Sequence, residues 1–325
     1  MKFGIVGCGL IGHKRARALG DFRLVVCADA APEKAEALAA EHPGCRPSAD
    51  FRDAVEDPRV DALIVATTND ALTPVALAAV EAGKHVLVEK PAARDAAELR
   101  PLLAAAERQQ VVVKVGFNHR FHPALQQARR IFDEGGVGEL MYIRGRYGHG
   151  GRLGYEREWR ADPEIAGGGE LLDQGVHLID LARWFAGDFV EVSGHVGTFF
   201  WPMAVEDNGF ALLKTARGQV AWLHASCSEW KNLFSFELFG RLGKLQVDGL
   251  GGSYGTERLT FYRMLPELGP PETTGWKFPR EDASWQTELE HFAACIQSGA
   301  RPNGSLEDAL AALEIVGRLY GRGPG

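Results

Sequence analysis

The feature that most constrains this chain is Gly7-Cys8-Gly9-Leu10-Ile11-Gly12. This GxGxxG run follows an apolar, strand-like stretch at residues 3–6 and leads into a helix-like stretch at residues 13–19. Each glycine has its own task in such a strand–turn–helix. Gly7 permits the tight turn, Gly9 lets the backbone approach a pyrophosphate, and Gly12 lets helix and strand pack closely. Leu10 and Ile11 stand at the helix start, where backbone N–H groups face an anion. Read alone, the run could be no more than a glycine-rich turn, so its flanks matter. Asp29 closes the next strand-like run, about 20 residues further on, where a carboxylate hydrogen-bonds the ribose hydroxyls of a dinucleotide. Read by itself, Asp29 is also a serviceable helix N-cap. Ala30 and Ala31 follow it, with no Arg or Lys to receive a 2′-phosphate. The spacing therefore favours NAD over NADP.

Up to about residue 120 the pattern keeps alternating. Apolar runs at residues 3–6, 24–28, 62–66, 85–88 and 111–115 are separated by Ala-rich helical stretches at 13–19, 32–41, 74–82 and 95–108. Strands that are apolar throughout and spaced by helices imply a parallel sheet covered on both faces. The expected fold is α/β, a Rossmann-type doubly wound sheet. Beyond Phe117 the pattern changes to helices at 123–134 and 169–185, then strands at 190–200, 209–215, 219–227, 233–239, 244–247 and 258–263. Tight turns such as Ala216-Arg217-Gly218 predict antiparallel pairing. Residues 265–279, rich in Pro, Gly and Thr, read as a long loop, and helices at 285–298 and 306–320 close the chain. The expectation is a dinucleotide domain at 1–120 and an α+β domain with a large, mostly antiparallel sheet at 121–325. The last helix is free to pack back on the first domain.

Two further motifs carry a family resemblance. Glu89-Lys90-Pro91 follows the fifth apolar run, and Gly167-Gly168-Gly169-Glu170-Leu171-Leu172-Asp173-Gln174-Gly175-Val176-His177-Leu178-Ile179-Asp180 comes much later. With the glycine run, in this order, they resemble the Gfo/Idh/MocA oxidoreductases over essentially the whole chain. That is the family of glucose–fructose oxidoreductase and inositol 2-dehydrogenase. The resemblance implies that Lys90, Asp173 and His177 surround the carbon that exchanges hydride with nicotinamide. Thr67, Thr68 and Asn69 resemble the segment that lies along the cofactor, although Leu72 stands where relatives often carry His.

The residues themselves fit that chemistry. A helix over 169–185 puts Asp173 and His177 on one face, and the rest of that helix is apolar, so its polar groups should line a cleft. The plainer alternative is an Asp/His pair that only stabilises its helix. His177 has a suitable ordinary pKa for a base, Lys90 can stabilise a developing alkoxide, and Asp173 can orient substrate hydroxyls or the imidazole. Glu89, Lys90 and Asn118 fall just after strand ends, where doubly wound sheets bind ligands, and are expected to contact the cofactor. Asn118, Arg120, Tyr155, Trp159 and Arg160 are further candidate substrate contacts, since aromatic faces and hydrogen-bonding groups suit a polyhydroxylated ring. Arg144, Arg146, Arg152, Arg157 and Arg160 are dense enough to receive a substrate phosphate or nucleotide diphosphate, or to balance neighbouring acids.

Composition limits the partners. A net charge of -7 in 325 residues argues against nucleic acid. No apolar run approaches a membrane span, and the start lacks the layout of a signal peptide, so a cytoplasmic location is expected. Five cysteines without a CxxC pair suggest neither a metal site nor a disulfide framework. Strand runs apolar on both faces (Ala221 and Leu223 against Val220 and Trp222) need a second cover, pointing to a homodimer or homotetramer through that sheet. The expected function is NAD-dependent oxidation or reduction at a ring carbon of a sugar, sugar derivative or cyclitol. An NAD-dependent glycosidase working by transient ring oxidation would use the same residues, and a non-catalytic NAD-binding sensor would need neither Lys90 nor His177.

Overall fold

A computed structural model of the chain describes residues 1–279 and 281–322. The backbone forms two compact units. The first comprises Met1–Phe117, Glu164–Gly167 and Trp285–Leu313; the second comprises Asn118–Pro163, Gly168–Ser284 and the residues from Glu314 onward.

The first unit is built on a six-stranded parallel sheet: β1 (Lys2–Val6), β2 (Arg23–Ala28), β3 (Arg46–Ser48), β4 (Ala62–Val65), β5 (His85–Val88) and β6 (Val113–Val115), in the order β3-β2-β1-β4-β5-β6. Its inner strands are runs of Val, Ile and Leu buried on both faces, as a sheet covered on both sides requires. The sequence reading lacked β3, because Arg46-Pro47-Ser48 has no strand propensity. It lies at the edge, where a proline interrupts no ladder on its open side. Leu289 and Phe292, from the helix Ser284–Ser298, join Phe3, Ile5, Leu24, Cys27 and Leu38 in one core cluster.

A closed network of four charges lies inside this unit. The Arg15 guanidinium donates to Glu89 through Nε (2.6 Å) and to Glu288 through Nη1 (2.6 Å). Lys114 Nζ lies 3.1 Å from the other Glu288 oxygen and donates to the Asn303 carbonyl at 2.5 Å. Trp285 lies beneath the guanidinium, 4.4 Å from ring centre to Cζ. Arg15, Lys114 and Glu288 are fully buried. Charges in such surroundings persist only when paired on all sides.

The second unit carries an eight-stranded sheet: β7 (Leu140–Gly148), β8 (Phe189–Gly197), β9 (Asn208–Thr215), β10 (Val220–Ser226), β11 (Leu233–Gly240), β12 (Gly243–Asp248), β13 (Glu257–Arg263) and β14 (Glu272–Phe278). Their order is β14-β13-β12-β11-β7-β10-β9-β8, antiparallel throughout except for the parallel pair β7 and β10. Two strands depart from the sequence reading. β7 hides in the arginine-dense stretch, where Ile143, Gly145 and Tyr147 face inward and Tyr142, Arg144 and Arg146 outward. β14 falls in the expected loop. Its threonines and Trp276 pair with β13, and the flanking Pro270-Pro271 and internal Gly275 disguise an edge strand. The helix Val176–Ala186 packs on β7 and β10.

Candidate functional site

In the first unit, the strand register sets the site. Val6 lies opposite both Ala28 and Val65, Val65 opposite Val88, and Val88 opposite Val115. Gly7, Asp29, Thr67, Glu89 and Lys90 thus follow one rung at the carboxyl end of the sheet, the end at which doubly wound sheets bind ligands. The glycine loop fits a dinucleotide on steric grounds. A Cβ at Gly7 would sit 2.4 Å from the Ala66 backbone, and one at Gly12 would sit 2.1 Å from the Gly7 carbonyl. Nothing lies within 4 Å of a Cβ at Gly9, so the space over the start of the helix Leu10–Arg17 is open. No side chain caps that helix, and Leu10 is exposed beside the opening, with Ile11 half-buried. Open space over an uncapped helix start fits a pyrophosphate. The Asp29 carboxylate accepts the amides of Cys8 (2.8 Å) and Ala31 (2.9 Å), tying the end of β2 to the glycine loop.

Thr68 is the N-cap residue of the helix Asn69–Glu81, and its hydroxyl donates to Asp70 (2.6 Å). Thr67 is half-buried before it. Asn69 donates to the Ala166 carbonyl at 2.9 Å, so its side chain fixes the 164–167 segment just before the glycine run. Leu72 is fully buried in the helix, which explains an apolar residue there. The Glu89 side chain turns to Arg15; burial pushes its carboxyl up, against the pull of Arg15. Lys90 is half-buried, joined to Pro91 by a cis peptide bond, and the turn closes with the Ala92 amide donating to the Glu89 carbonyl (2.9 Å).

In the second unit, the expected single helix over 169–185 is two. Leu171–Gly175 is a π-helical turn, and Val176–Ala186 is α-helical. Widened turns of this kind concentrate at functional sites. The turn starts where Gly169 meets Glu206: a Cβ there would lie 2.0 Å from the Glu206 carbonyl oxygen. The Glu206 carboxylate accepts the amides of Gly169 (2.9 Å) and Leu171 (3.0 Å) and the Tyr320 hydroxyl (2.7 Å). Asp173 is half-buried and accepts Arg160 Nε at 3.2 Å. The buried His177 ring stacks on His119, 3.7 Å between centres and 16° between planes, which fixes the imidazole plane. Tyr147 stands edge-on to both rings. Burial and the neighbouring Tyr254 push the Tyr147 hydroxyl well up, and burial raises Tyr254 to about 12. Both remain neutral hydrogen-bonding hydroxyls at ordinary pH.

The other candidates fall out as follows. Asn118 is buried, donating to the Ser284 hydroxyl (3.0 Å), with its oxygen 3.1 Å from His119 Nδ1. Arg120, a candidate substrate contact, forms a buried two-point pair with Asp180 instead (2.8 and 2.6 Å). Tyr155 is buried between His149 and Trp201. Trp159 is half-buried beneath the Arg160 guanidinium, 4.5 Å away. The arginine-dense stretch does not converge on one point. Arg144 pairs with Glu237, Arg152 with Glu158, Arg157 with Glu156 and Arg160 with Asp173, the balancing of acids rather than a phosphate clamp.

Sequence reasoning missed Glu206, Asp207 and Arg15. Adjacent acids opening an apolar strand, as at Val205-Glu206-Asp207-Asn208, were the available signal for the first two. Arg15 gave none, because a surface arginine in a first helix reads the same.

Comparison with known proteins agrees with this fold. The family described as an oxidoreductase family with an NAD-binding Rossmann fold matches residues 1–117, and the GFO/IDH/MocA C-terminal domain matches residues 125–246. Over 239 residues the chain is 30% identical to the levoglucosan dehydrogenase of Pseudarthrobacter phenanthrenivorans, a match spanning 67% of this chain and 59% of that one. The chain therefore covers less than two thirds of that relative's length. It is 28% identical over 331 residues to the inositol 2-dehydrogenase of Rhizobium meliloti, covering 97% and 94% of the two chains. A solved levoglucosan dehydrogenase in complex with NADH and levoglucosan shares the fold at a TM-score of 0.90, with 24% identity over 99% of this chain and 96% of that one. The chain belongs to the Gfo/Idh/MocA family of NAD-binding oxidoreductases.

Proposed function

We propose that the protein is an NAD-dependent dehydrogenase acting on a ring secondary alcohol of a sugar, sugar derivative or cyclitol, or reducing the corresponding ketone. The observation that carries this reading is the single rung beyond which Gly7, Asp29 and Lys90 all stand. It unites a dinucleotide cradle with a strand-end lysine. The polar class of substrate follows from relatives named for inositol, levoglucosan and D-apiose.

The cradle at Gly7, Gly9 and Gly12, with Leu10 and Ile11 at the helix start, holds the pyrophosphate, and Asp29 takes the ribose hydroxyls. The Asp29 charge repels a 2′-phosphate, which supports NAD over NADP. Thr67, Thr68 and Asn69 flank the cofactor, and Glu89 sets the backbone from which Lys90 projects. When bound, the cofactor supplies the hydride acceptor. Lys90 hydrogen-bonds the substrate oxygen and stabilises the charge that grows on it as the proton leaves. His177, its plane set by His119, accepts that proton. Asp173 orients the substrate hydroxyls, and Arg160 holds Asp173 in position. Asn118 supports the His119 ring, Trp159 offers an apolar face to the ring carbons, and the buried Tyr155 backs the site from between His149 and Trp201.

The exposed face of the second unit's sheet, with Tyr142, Leu212 and Trp222, supports assembly as a homodimer or homotetramer. Sedimentation will give its size. Five free cysteines suit a reducing, cytoplasmic compartment. No helix of the described residues is long and apolar enough to cross a membrane.

The test is absorbance at the NADH band with NAD and a panel of sugars, sugar phosphates, nucleotide sugars and inositols, run beside Lys90→Ala. Oxidation of one substrate class, reduced about a hundredfold or more in the variant, is expected for loss of an oxyanion-stabilising donor. Turnover unchanged by Lys90→Ala would remove the assignment.

A further inference from the structure

Three large aromatic side chains of the second unit face solvent where the proposed chemistry has no use for them. Phe199 is 65% exposed, Phe200 55% and Trp230 66%. Phe200 stands edge-on to Trp230, 4.6 Å between centres at 87°, and edge-on to Trp201 at 5.2 Å and 89°. The perpendicular pair makes a corner, open to a flat partner. Trp201 carries this corner inward. Its indole N–H donates to the Cys227 carbonyl at 2.8 Å, and its ring packs on Tyr155 at 5.7 Å. Tyr155 in turn stands edge-on to His149, 5.7 Å between centres at 84°, and His149 Nε2 lies 3.6 Å from Glu170, so the aromatic row starts at the polar cluster of the candidate site.

These rings are presented by a rigid loop. The buried Asp207 carboxylate accepts the amides of Phe199 (2.8 Å), Phe200 (2.7 Å) and Trp201 (3.0 Å). Trp230 has a backbone φ of 60°, in the left-handed region. A bulky residue there is an outlier, and outliers of this kind collect at ligand clamps. The neighbouring Glu229 amide holds it by donating to the His149 carbonyl at 3.0 Å. Fixed, strained and exposed aromatic faces gain free energy only when something covers them.

We propose that Phe200, Trp201 and Trp230 form a subsite for the second ring of a glycoside whose first ring is bound by Asp173 and Arg160. This rests on the polyhydroxylated-ring reading above and narrows it from free monosaccharides to glycosides. Continuity with the polar cluster and the polar neighbours Ser228, Glu229, Lys231 and Asn232 favour a carbohydrate over a protein partner. A sugar ring offers an apolar C–H face to an indole and hydroxyls to the rim.

The test pairs each free hexose with its phenyl glycoside and with disaccharides carrying that hexose at the non-reducing end. kcat/KM is measured for the wild-type protein, Trp230→Ala and Phe200→Ala with NAD, alongside tryptophan emission on ligand addition and sedimentation. A two-ring advantage of about tenfold over the free hexose, collapsing towards unity in both variants, is expected from ring stacking. Emission should shift with two-ring ligands in the wild type and not in Trp230→Ala. Disaccharides and phenyl glycosides separate a sugar ring from an aromatic aglycone as the second ring. Oxidation of free hexoses with no two-ring advantage, or with one that survives both variants, overturns the subsite alone. Altered oligomeric state in the variants with ring selectivity untouched assigns the patch to a second copy of the chain and overturns it as well. No oxidation or binding of any one-ring or two-ring compound overturns the sugar reading itself.

Discussion

Asp207→Asn probes how firmly the loop before β9 is fixed. The wild-type carboxylate is fully buried and accepts three backbone amides and the Asn208 side chain (3.0 Å). An asparagine of the same shape keeps one acceptor oxygen and turns an NH2 group towards the remaining donors. Hydrogen bonds to a charged group contribute about 1.5–3 kcal/mol each. The sum is smaller here, because the residues at 199 and 200 are exposed and water can replace part of what their amides lose. A loss of about 2–3 kcal/mol, close to a hundredfold in the opening equilibrium, is the expected result. Hydrogen exchange at the Phe199, Phe200 and Trp201 amides should accelerate accordingly, with a lower urea midpoint.

The pH dependence has a definite sign. Burial alone would push the Asp207 carboxyl up, but hydrogen bonds from Asn208 and the three amides outweigh it and hold the carboxyl below its ordinary range. Its contribution is therefore present above the unfolded value, about pH 4, and fades as pH falls through the lower folded value. The wild-type advantage over Asp207→Asn should shrink below about pH 4. Unchanged exchange at those three amides in the variant would show that the carboxylate does not hold the loop.

Two contrasts test the first unit. Gly9→Ala should leave the melting temperature unchanged, because nothing lies within 4 Å of the new methyl, while weakening NADH binding at least about tenfold by crowding the phosphate approach. Gly7→Ala should instead destabilise the fold, since its φ of 93° and a 2.4 Å approach to Ala66 forbid a side chain; equal effects of the two in thermal melts and NADH titrations would contradict the steric argument. Glu288→Gln removes the anion shared by Arg15 and Lys114 and should cost about 3–5 kcal/mol, read as a fall in the urea midpoint. An unshifted midpoint would mean that the buried network is not closed in solution.

Much of the first unit was legible because parallel strands announce themselves. Ala62–Val65 and His85–Val88 are apolar whichever face they present, and glycines at fixed offsets mark the turn. Three-residue β3 carries too little pattern to detect, and β14 lies between prolines. β7 was obscured by its outward arginines, which read as ligands when taken singly and as a strand only when alternated with Ile143, Gly145 and Tyr147. Asp173 and His177 were singled out by motif, yet the π turn that carries Asp173 and leads into the helix of His177 depends on Glu206, more than thirty residues downstream. Long-range side-chain-to-backbone contacts of that kind leave no local periodicity. Arg120 shows the same limit in reverse, since its partner Asp180 is apparent only once the helix Val176–Ala186 is placed.

The shared carboxylate of Glu288 also orders events in time. Translation delivers Arg15 and Lys114 well before it delivers Glu288, which follows the later cation by 174 positions. At ~5–20 residues per second that interval lasts on the order of ten to thirty seconds. Throughout it the nascent sheet has two cations to enclose and, of the network's anions, only Glu89. Until the ribosome has worked through the second unit the parallel sheet lacks the second anion of its interior, and a fragment ending near residue 120 would hold two cations there against one carboxylate.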